Sequence, residues 1–432
     1  MKWPKILIVS QNALSTTGNM GKTIASYFYG FPLENIAQLY FHEGIPNSSI
    51  CNNYYRFSDA DALKSILFRW IRGGVVEPDL SSSFTDTFSN KAAYSLGKKK
   101  NPVVYLLRDA VWRISSVINK KIITWIKDFS PDIIFFAAGD YKYPSIIVRK
   151  LSKKLHVPFV TCFFDDYYTN SIYKNKFLGG FYYKSFKKEI DKNVKRSLFC
   201  FSVSEEMSGV YSDIFNKKFV TLYTSTDDNY ALRKFEEKQG ISYLGGLSLK
   251  RDYQLKTLGD TLRSSNYANL PKHIDVFSPT NDETVLKVIK SCEGIAFHGG
   301  LNSDEVKRKI EESKVVLHVE SFDSRIASRT KYSISTKIAE SLASHTLLVA
   351  YGPDSLASMQ YLKKNEAAIV SSDIQTLLSS LEQAIKNENI YNRIISNAYN
   401  LYLKNHSRAS VTNVFMSNIA SALDNYYENH SN

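Results

Sequence analysis

Cysteine is scarce in this sequence. Its 432 residues include four, Cys51, Cys162, Cys200 and Cys292. They are far apart and form no CxxC pair, which argues against a structural zinc site and a disulfide framework and fits a reducing cytosol. Long hydrophobic runs are missing too. No stretch approaches the roughly 20 apolar residues that span a bilayer. Residues 5–9 are apolar after Lys5, but Gln11 and Asn12 follow closely, the pattern of a first strand rather than a secretory h-region. Acid is short relative to base: 42 Asp and Glu against 55 Lys and Arg, a net charge of +13. Such a balance suits nucleic acid, a membrane surface or an anionic substrate. No recognised nucleic-acid motif is present, so nucleic acid is not an expected partner. A Walker loop is also lacking. GNMGKT (18–23) has two residues between its first Gly and GK, where the phosphate loop needs four, and this excludes ATP hydrolysis there. Gly18 and Gly21 either allow a tight strand-to-helix turn or line a cleft in which helix N-terminal N–H groups face an anion.

What is present is an alternation of strand and helix. The length suits two domains, and 44% hydrophobic with 22% charged residues is a soluble globular composition. Strands are expected at 5–10, 132–140, 159–166 and 197–204, and helices at 22–29, 144–155 and 205–215. The pattern restarts with strands at 241–248, 273–279, 294–299, 315–320, 346–353 and 367–372. The helices between them fall at 282–291, 303–313, 334–344, 355–364 and 373–388, with a further one after Arg251. Apolar strands alternating with helices predict parallel sheets covered on both faces. The expected fold class is therefore α/β, with two doubly wound, Rossmann-like domains facing a cleft. The domains are drawn at 1–228 and 229–410. In the tail, 411–432, Val411, Val414, Phe415, Ile419 and Leu423 have near-helical spacing, and packing back on the first domain buries that stripe.

Three segments after strands carry candidate chemistry. LGGLSLKRD (244–252) places Gly245 and Gly246 at a strand end, with Lys250 and Arg251 where a helix begins. Glycine lets backbone approach a phosphate, and an Arg fork with helix N-terminal amides favours a diphosphate. SISTKIAESLAS (333–344) offers Ser335 and Thr336 as caps, Lys337 in the first turn and Glu340 one turn later. A cation in a first turn opposes the helix dipole, a cost that a bound anion offsets; a solvated Lys–Glu pair is the plainer reading. TLLVAYGP (346–353) ends in Gly352 and Pro353. All three fall at carboxyl ends of strands, where open parallel sheets bind ligands.

The order YLGGLSLKRD, LHVESFD, STKIAESLAS, VAYGP and SMQYL resembles the C-terminal domain of bacterial family-four glycosyltransferases, the large retaining GT-B group, and looks most similar to members that build capsular polysaccharide and O-antigen. FFDDYY (163–168) and SVSEEMSGVYSDIFN (202–216) resemble that group's acceptor domain. The resemblance implies that Arg251 binds the donor diphosphate, Gly245 and Gly246 form the Gly-rich loop, Glu340 bonds the nucleotide ribose and Lys337 lies near the phosphates. The family carries a second glutamate eight positions earlier that touches the donor sugar. Here that position is Tyr332, and Glu320 and Asp323, upstream in an expanded loop (321–333), are both candidates to replace it.

The implied activity is retaining transfer of a sugar from a nucleotide diphosphate sugar. Arg251, Lys337 and helix amides would stabilise the leaving diphosphate with no metal or other cofactor; Asp165 and Asp166 are adjacent rather than spaced as a DxD clamp. Either aspartate is a candidate to orient the acceptor hydroxyl, with Asp166 placed among the catalytic residues, or else a strand-end turn. The expected acceptor is a lipid-linked saccharide, which puts the protein in the cytoplasm, at the inner face of the cell membrane. Basic stretches at 91–125 and 172–196, interleaved with Trp112, Trp125, Phe177, Phe181, Tyr182, Tyr183 and Phe186, suit an anionic membrane surface. The rival readings are a nucleotide-sugar epimerase and a non-catalytic GT-B partner subunit.

Overall fold

The computed structural model describes residues 3–16, 19–68, 70–80, 102–170 and 177–429. The chain forms two compact units, Met1–Tyr223 with Val411–Asn432, and Thr224–Ser410.

The first unit is built on eight strands: β1 (Ile6–Ser10), β2 (Ile36–Tyr40), β3 (Tyr54–Arg56), β4 (Gly74–Val76), β5 (Ile133–Ala138), β6 (Phe159–Phe163), β7 (Cys200–Ser202) and β8 (Phe219–Thr221). Their order is β4-β3-β2-β1-β5-β6-β7-β8. All pairs are parallel except β3 with β4. β1 and β5 are buried along their whole length, which is why both read as unbroken apolar runs. Within β2, Gln38 is fully buried. Its amide accepts from the Leu14 N–H and donates to Ser10 Oγ and the Asn12 carbonyl, so the loop after β1 is tied to the sheet.

The core of this unit is aromatic. Phe28, Phe135, Phe201 and Phe415 pack ring on ring. Phe415 belongs to the last helix, Arg408–Glu428, whose Val411, Phe415, Met416, Ile419 and Leu423 are buried.

The second unit holds β9 (Gln239–Leu244), β10 (Ile274–Phe277), β11 (Ile295–Gly299), β12 (Ser313–Val319), β13 (Leu347–Tyr351) and β14 (Ile369–Ser371). Their order is β11-β10-β9-β12-β13-β14, all parallel. From β9 the chain first winds outward through β10 and β11, then returns to β12 and winds the other way. The topological switch point therefore lies between β9 and β12. Helix Arg251–Ser264 packs on the loop before β11 through two glycines: a Cβ on Gly294 would stand 2.0 Å from the Gly259 carbonyl oxygen.

Several boundaries differ from the sequence expectation. The first helix spans Asn19–Ser26 rather than 22–29. The expanded loop contains a helix, Ser324–Thr330, capped by Asp323. The helix that carries the tail begins before it, at Arg408, and a separate helix, Glu388–Asn405, precedes it.

The basic, aromatic stretches are also arranged differently. Trp112 is buried, with its indole N–H bonded to Asp59 and its ring stacked on Tyr143. Tyr182, Tyr183 and Phe186 are buried as well, and Trp125 donates to Asn53 and packs on Tyr55. Of those aromatics, Phe181 is fully outward, at 67% exposure; residues 91–101 and 171–176 and the Phe177 side chain lie outside the description. A different set of apolar side chains faces outward instead. On helix Asp59–Leu67 they are Leu63 and Leu67, followed by Trp70, and on helix Pro102–Ile114 they are Val103, Leu107 and Ile114. These helices pack together, and the second also packs on helix Phe177–Arg196, which carries Phe181. Exposed Lys64, Arg113, Lys184 and Lys188 lie on the same three helices. Among the described residues, no helix is long and apolar enough to cross a membrane.

Candidate functional site

The carboxyl end of β9 runs into Gly245, which is buried, and its N–H bonds to the Phe277 carbonyl of β10. The following turn is tight: Leu249 and Lys250 both take left-handed backbone angles, φ 62° and 57°, a conformation that costs a non-glycine residue energy. Lys250 stands at the position just before helix Arg251–Ser264 without capping it, and its ammonium pairs with Asp323 at 2.7 Å. Arg251 is the first helical residue. Its Nε donates to the Val319 carbonyl (3.0 Å) and its Nη2 to both oxygens of Glu320 (3.0 and 3.2 Å).

Lys337 arrives from helix Thr336–Ala343. Ser335 caps that helix by accepting from the Lys337 N–H. The Lys337 ammonium reaches across to donate to the Leu244 carbonyl at 2.7 Å. Gly245 is what makes room for it, since a Cβ there would stand 2.3 Å from Lys337 Nζ; Gly246 meets nothing closer than Ser248 Oγ at 3.9 Å. The structure thus brings Gly245, Arg251, Glu320, Ser335, Thr336 and Lys337 to the β9/β12 switch point, where two helix N-termini also arrive. Glu340 follows one turn beyond Lys337 on the same helix, near the half-buried Tyr230. Burial first, and then the Glu340 charge, raise the Tyr230 hydroxyl's pKa.

Glu320 and Asp323, the two acids upstream of Tyr332, are both engaged. Glu320 is 4% exposed and bound to Arg251. Asp323 holds Lys250 and caps the following helix by accepting from the Arg325 and Ile326 N–H groups. Tyr332, eight positions before Glu340, lies beneath the Lys331 ammonium.

One residue of this cluster escapes the sequence reading. His318, buried at the end of β12, stands 3.3 Å from Glu320 without hydrogen-bond geometry. Burial pushes its pKa down to about 4, and the nearby Arg251 and Lys337 charges act in the same direction against Glu320. The imidazole is therefore neutral at pH 7. Its signal in the sequence was a polar residue within the apolar run VVLHV.

In the first unit the proposed acceptor residues behave differently from one another. Asp166 is 5% exposed and accepts from the Tyr211 hydroxyl (2.7 Å), the Thr169 N–H (2.9 Å) and the Thr169 hydroxyl. The two Thr169 bonds close a turn, and the Tyr211 hydroxyl braces it from helix Glu205–Phe215. Asp165 is exposed and accepts from the Tyr167 hydroxyl at 3.1 Å. Gly21 is required by a close approach, because a Cβ would lie 2.3 Å from the Ala13 carbonyl oxygen. Gly18 lies outside the described residues. No group of three or more His, Cys, Asp or Glu side chains suited to a metal ion occurs among the described residues.

Residues 258–417 match the family model described as glycosyl transferase-like. No curated protein matches the sequence. Among solved structures, HepE of Anabaena in complex with UDP is 12% identical, superposes with a TM-score of 0.62, and covers 96% of this chain and 100% of its own. The fold is GT-B. A glycosyltransferase of Rickettsia africae is 14% identical with a TM-score of 0.59, covering 98% and 99% of the two chains. The trehalose 6-phosphate synthase of Burkholderia multivorans is 9% identical with a TM-score of 0.63, covering 99% of each. At such identities the shared property is the GT-B fold, with its two parallel-sheet domains.

Proposed function

We propose that this GT-B chain is a glycosyltransferase that moves a sugar from a nucleotide diphosphate sugar to a saccharide acceptor, with the donor bound by the second unit. One observation carries this function: Gly245, Arg251, Lys337 and two helix N-termini converge at the β9/β12 switch point, the place where doubly wound sheets bind nucleotides. HepE, of the same fold, has been crystallised with UDP-glucose. In the reaction the bond from the anomeric carbon to the β-phosphate oxygen breaks and a bond to the acceptor oxygen forms. The acceptor proton passes to the departing phosphate, and anomeric configuration is retained. Negative charge grows on the leaving diphosphate, where Arg251, Lys337 and the helix amides stabilise it, doing the work of a metal ion. Glu340 bonds the nucleotide ribose. With Asp166 closed into a turn, exposed Asp165 is the better candidate for the acceptor hydroxyl.

A thermal-shift screen against nucleoside diphosphates tests this function, because a selective ligand raises Tm by mass action. Glu340→Ala should weaken binding of the selected nucleotide about tenfold, from the loss of a charged hydrogen bond worth about 1.5–3 kcal/mol. An unchanged dissociation constant would remove Glu340 from the site. The engagement of both Glu320 and Asp323 favours a second reading, a GT-B subunit that binds nucleotide without turnover. Donor consumption with a saccharide acceptor present decides against it.

We further propose a lipid-linked acceptor in surface polysaccharide synthesis of the capsule or O-antigen kind, with the enzyme held on the inner face of the membrane as a member of family four. The outward apolar set of the first unit, with Leu67 77% and Trp70 72% exposed, is flanked by Lys64, Arg113, Lys184 and Lys188. Near anionic lipid each such cation contributes about 1 kcal/mol, and the apolar side chains suit the headgroup boundary. The protein should sediment with anionic vesicles at low salt and be released as salt screens the charges. Leu67→Asp with Trp70→Ala should reduce that sedimentation several-fold. A wild-type protein that stays in the supernatant at low salt points to a soluble acceptor.

A further inference from the structure

With the donor function above as premise, we infer that Glu320 is a positioning residue: it fixes the guanidinium of Arg251 toward the diphosphate and does not touch the donor sugar. Three features of its surroundings lead there. Its carboxylate is nearly sealed from solvent, and both oxygens are taken by Arg251 Nη2. Its backbone is pinned, with the N–H bonded to the Tyr351 carbonyl at the end of β13. Room for it is built in: a Cβ on Gly352 would lie 2.9 Å from Glu320 Cβ, so β13 ends in a glycine where the glutamate packs. A carboxylate held this way on the sheet side of an arginine has little freedom to turn toward a sugar.

Arg251 is fixed in consequence. Of its five N–H donors, Nε is spent on Val319 and Nη2 shares one on Glu320. Nη1 and the other Nη2 hydrogen remain for an anion. A long side chain that already sits in its binding rotamer loses less freedom when the ligand arrives. Against this, the Glu320 charge repels a diphosphate. The two effects separate cleanly by substitution. Glu320→Gln removes the charge and keeps an acceptor oxygen for Nη2, whereas Glu320→Ala removes both.

The test is calorimetry with UDP, GDP, ADP and CDP, to select the nucleotide the wild type binds, and then with that nucleotide and its glucose conjugate for each variant. Thermal melts confirm that each variant is folded at the titration temperature. Glu320→Gln should bind the nucleotide as well as wild type or better. Glu320→Ala should bind about fivefold more weakly than Glu320→Gln, the scale of one hydrogen-bonding contact. In an Arg251→Ala background that ratio should fall to about one, because the coupling runs through the arginine. Equal affinities for Glu320→Ala and Glu320→Gln overturn the inference. So does a fivefold difference that persists without Arg251, which marks a merely structural role. A loss confined to the sugar conjugate would make Glu320 a sugar contact instead. If the wild type binds none of the four nucleotides, the donor function itself fails, and the positioning role falls with it.

Discussion

Arg251→Ala is expected to lower sugar transfer about 10²–10³-fold, the effect of removing one preorganised donor from developing charge, while nucleotide affinity falls only about tenfold. The asymmetry follows from where the charge is. A bound nucleotide diphosphate sugar carries its phosphate charge spread over both phosphates before reaction, and new charge appears on the β-phosphate as the glycosidic bond breaks. A guanidinium already held by Val319 and Glu320 reorganises little at that moment, so its contribution is larger in the transition state than in the ground state. Lysine cannot reproduce the fork, and Arg251→Lys should recover less than a tenth of the lost rate. The alanine variant leaves Glu320 buried without its cation. Breaking such a pair costs stability, so kinetics belong well below the variant's own melting temperature. Steady-state turnover and calorimetry on the same preparations give the two numbers. A variant with turnover within threefold of wild type would take Arg251 out of the reaction, whatever its effect on binding.

The fold of the second unit is legible in the sequence because its strands read as apolar runs separated by polar segments. β13 is a fully buried run and β12 is buried except at Lys314, and Gly245 and Gly246 follow the carboxyl end of β9. Pairing is not legible. Arg251 and Glu320 are 69 residues apart, and only the adjacency of β9 and β12 brings them together. A sequence that offers Glu320 as an available acid cannot show that an arginine has claimed it. The first unit is harder for a different reason. β3 and β4 are three residues each, too short for a periodic signal, and Gln38 interrupts a buried strand with an amide whose partners are the last residue of β1 and the loop after it. The helix Ser324–Thr330, SRIASRT, has no apolar stripe and is announced only by its Asp323 cap. On helix Pro102–Ile114 both faces carry apolar residues: Tyr105 and Trp112 point inward, and Val103, Leu107 and Ile114 outward. Helical periodicity finds two stripes on such a segment and cannot say which one meets solvent.

Phe415→Ala should cost the first unit about 3–5 kcal/mol, the range for removing a buried ring. Phe415 is fully buried and lies within 5.2–5.8 Å of the Phe28, Phe31, Phe135 and Phe201 rings, stacked on the last of these. Those partners come from the segment just after the first helix, from β5, and from β7. One side chain of the final helix thus closes contacts among segments far apart in the chain, and the space it leaves cannot collapse without moving a strand. The effect can be read selectively. The four tryptophans of the sequence, at positions 3, 70, 112 and 125, all belong to the first unit, so tryptophan fluorescence in urea follows that unit alone. Its midpoint should fall by roughly 1–2 M for a domain of this size. Nucleotide binding, a property of the second unit, should persist at urea concentrations where the fluorescence has already changed. Phe415→Leu keeps most of the volume and should lose less than half as much. A fluorescence midpoint that does not move would mean that the final helix rests on the first unit without completing its core. Simultaneous loss of fluorescence and nucleotide binding in the variant would mean that the two units unfold as one.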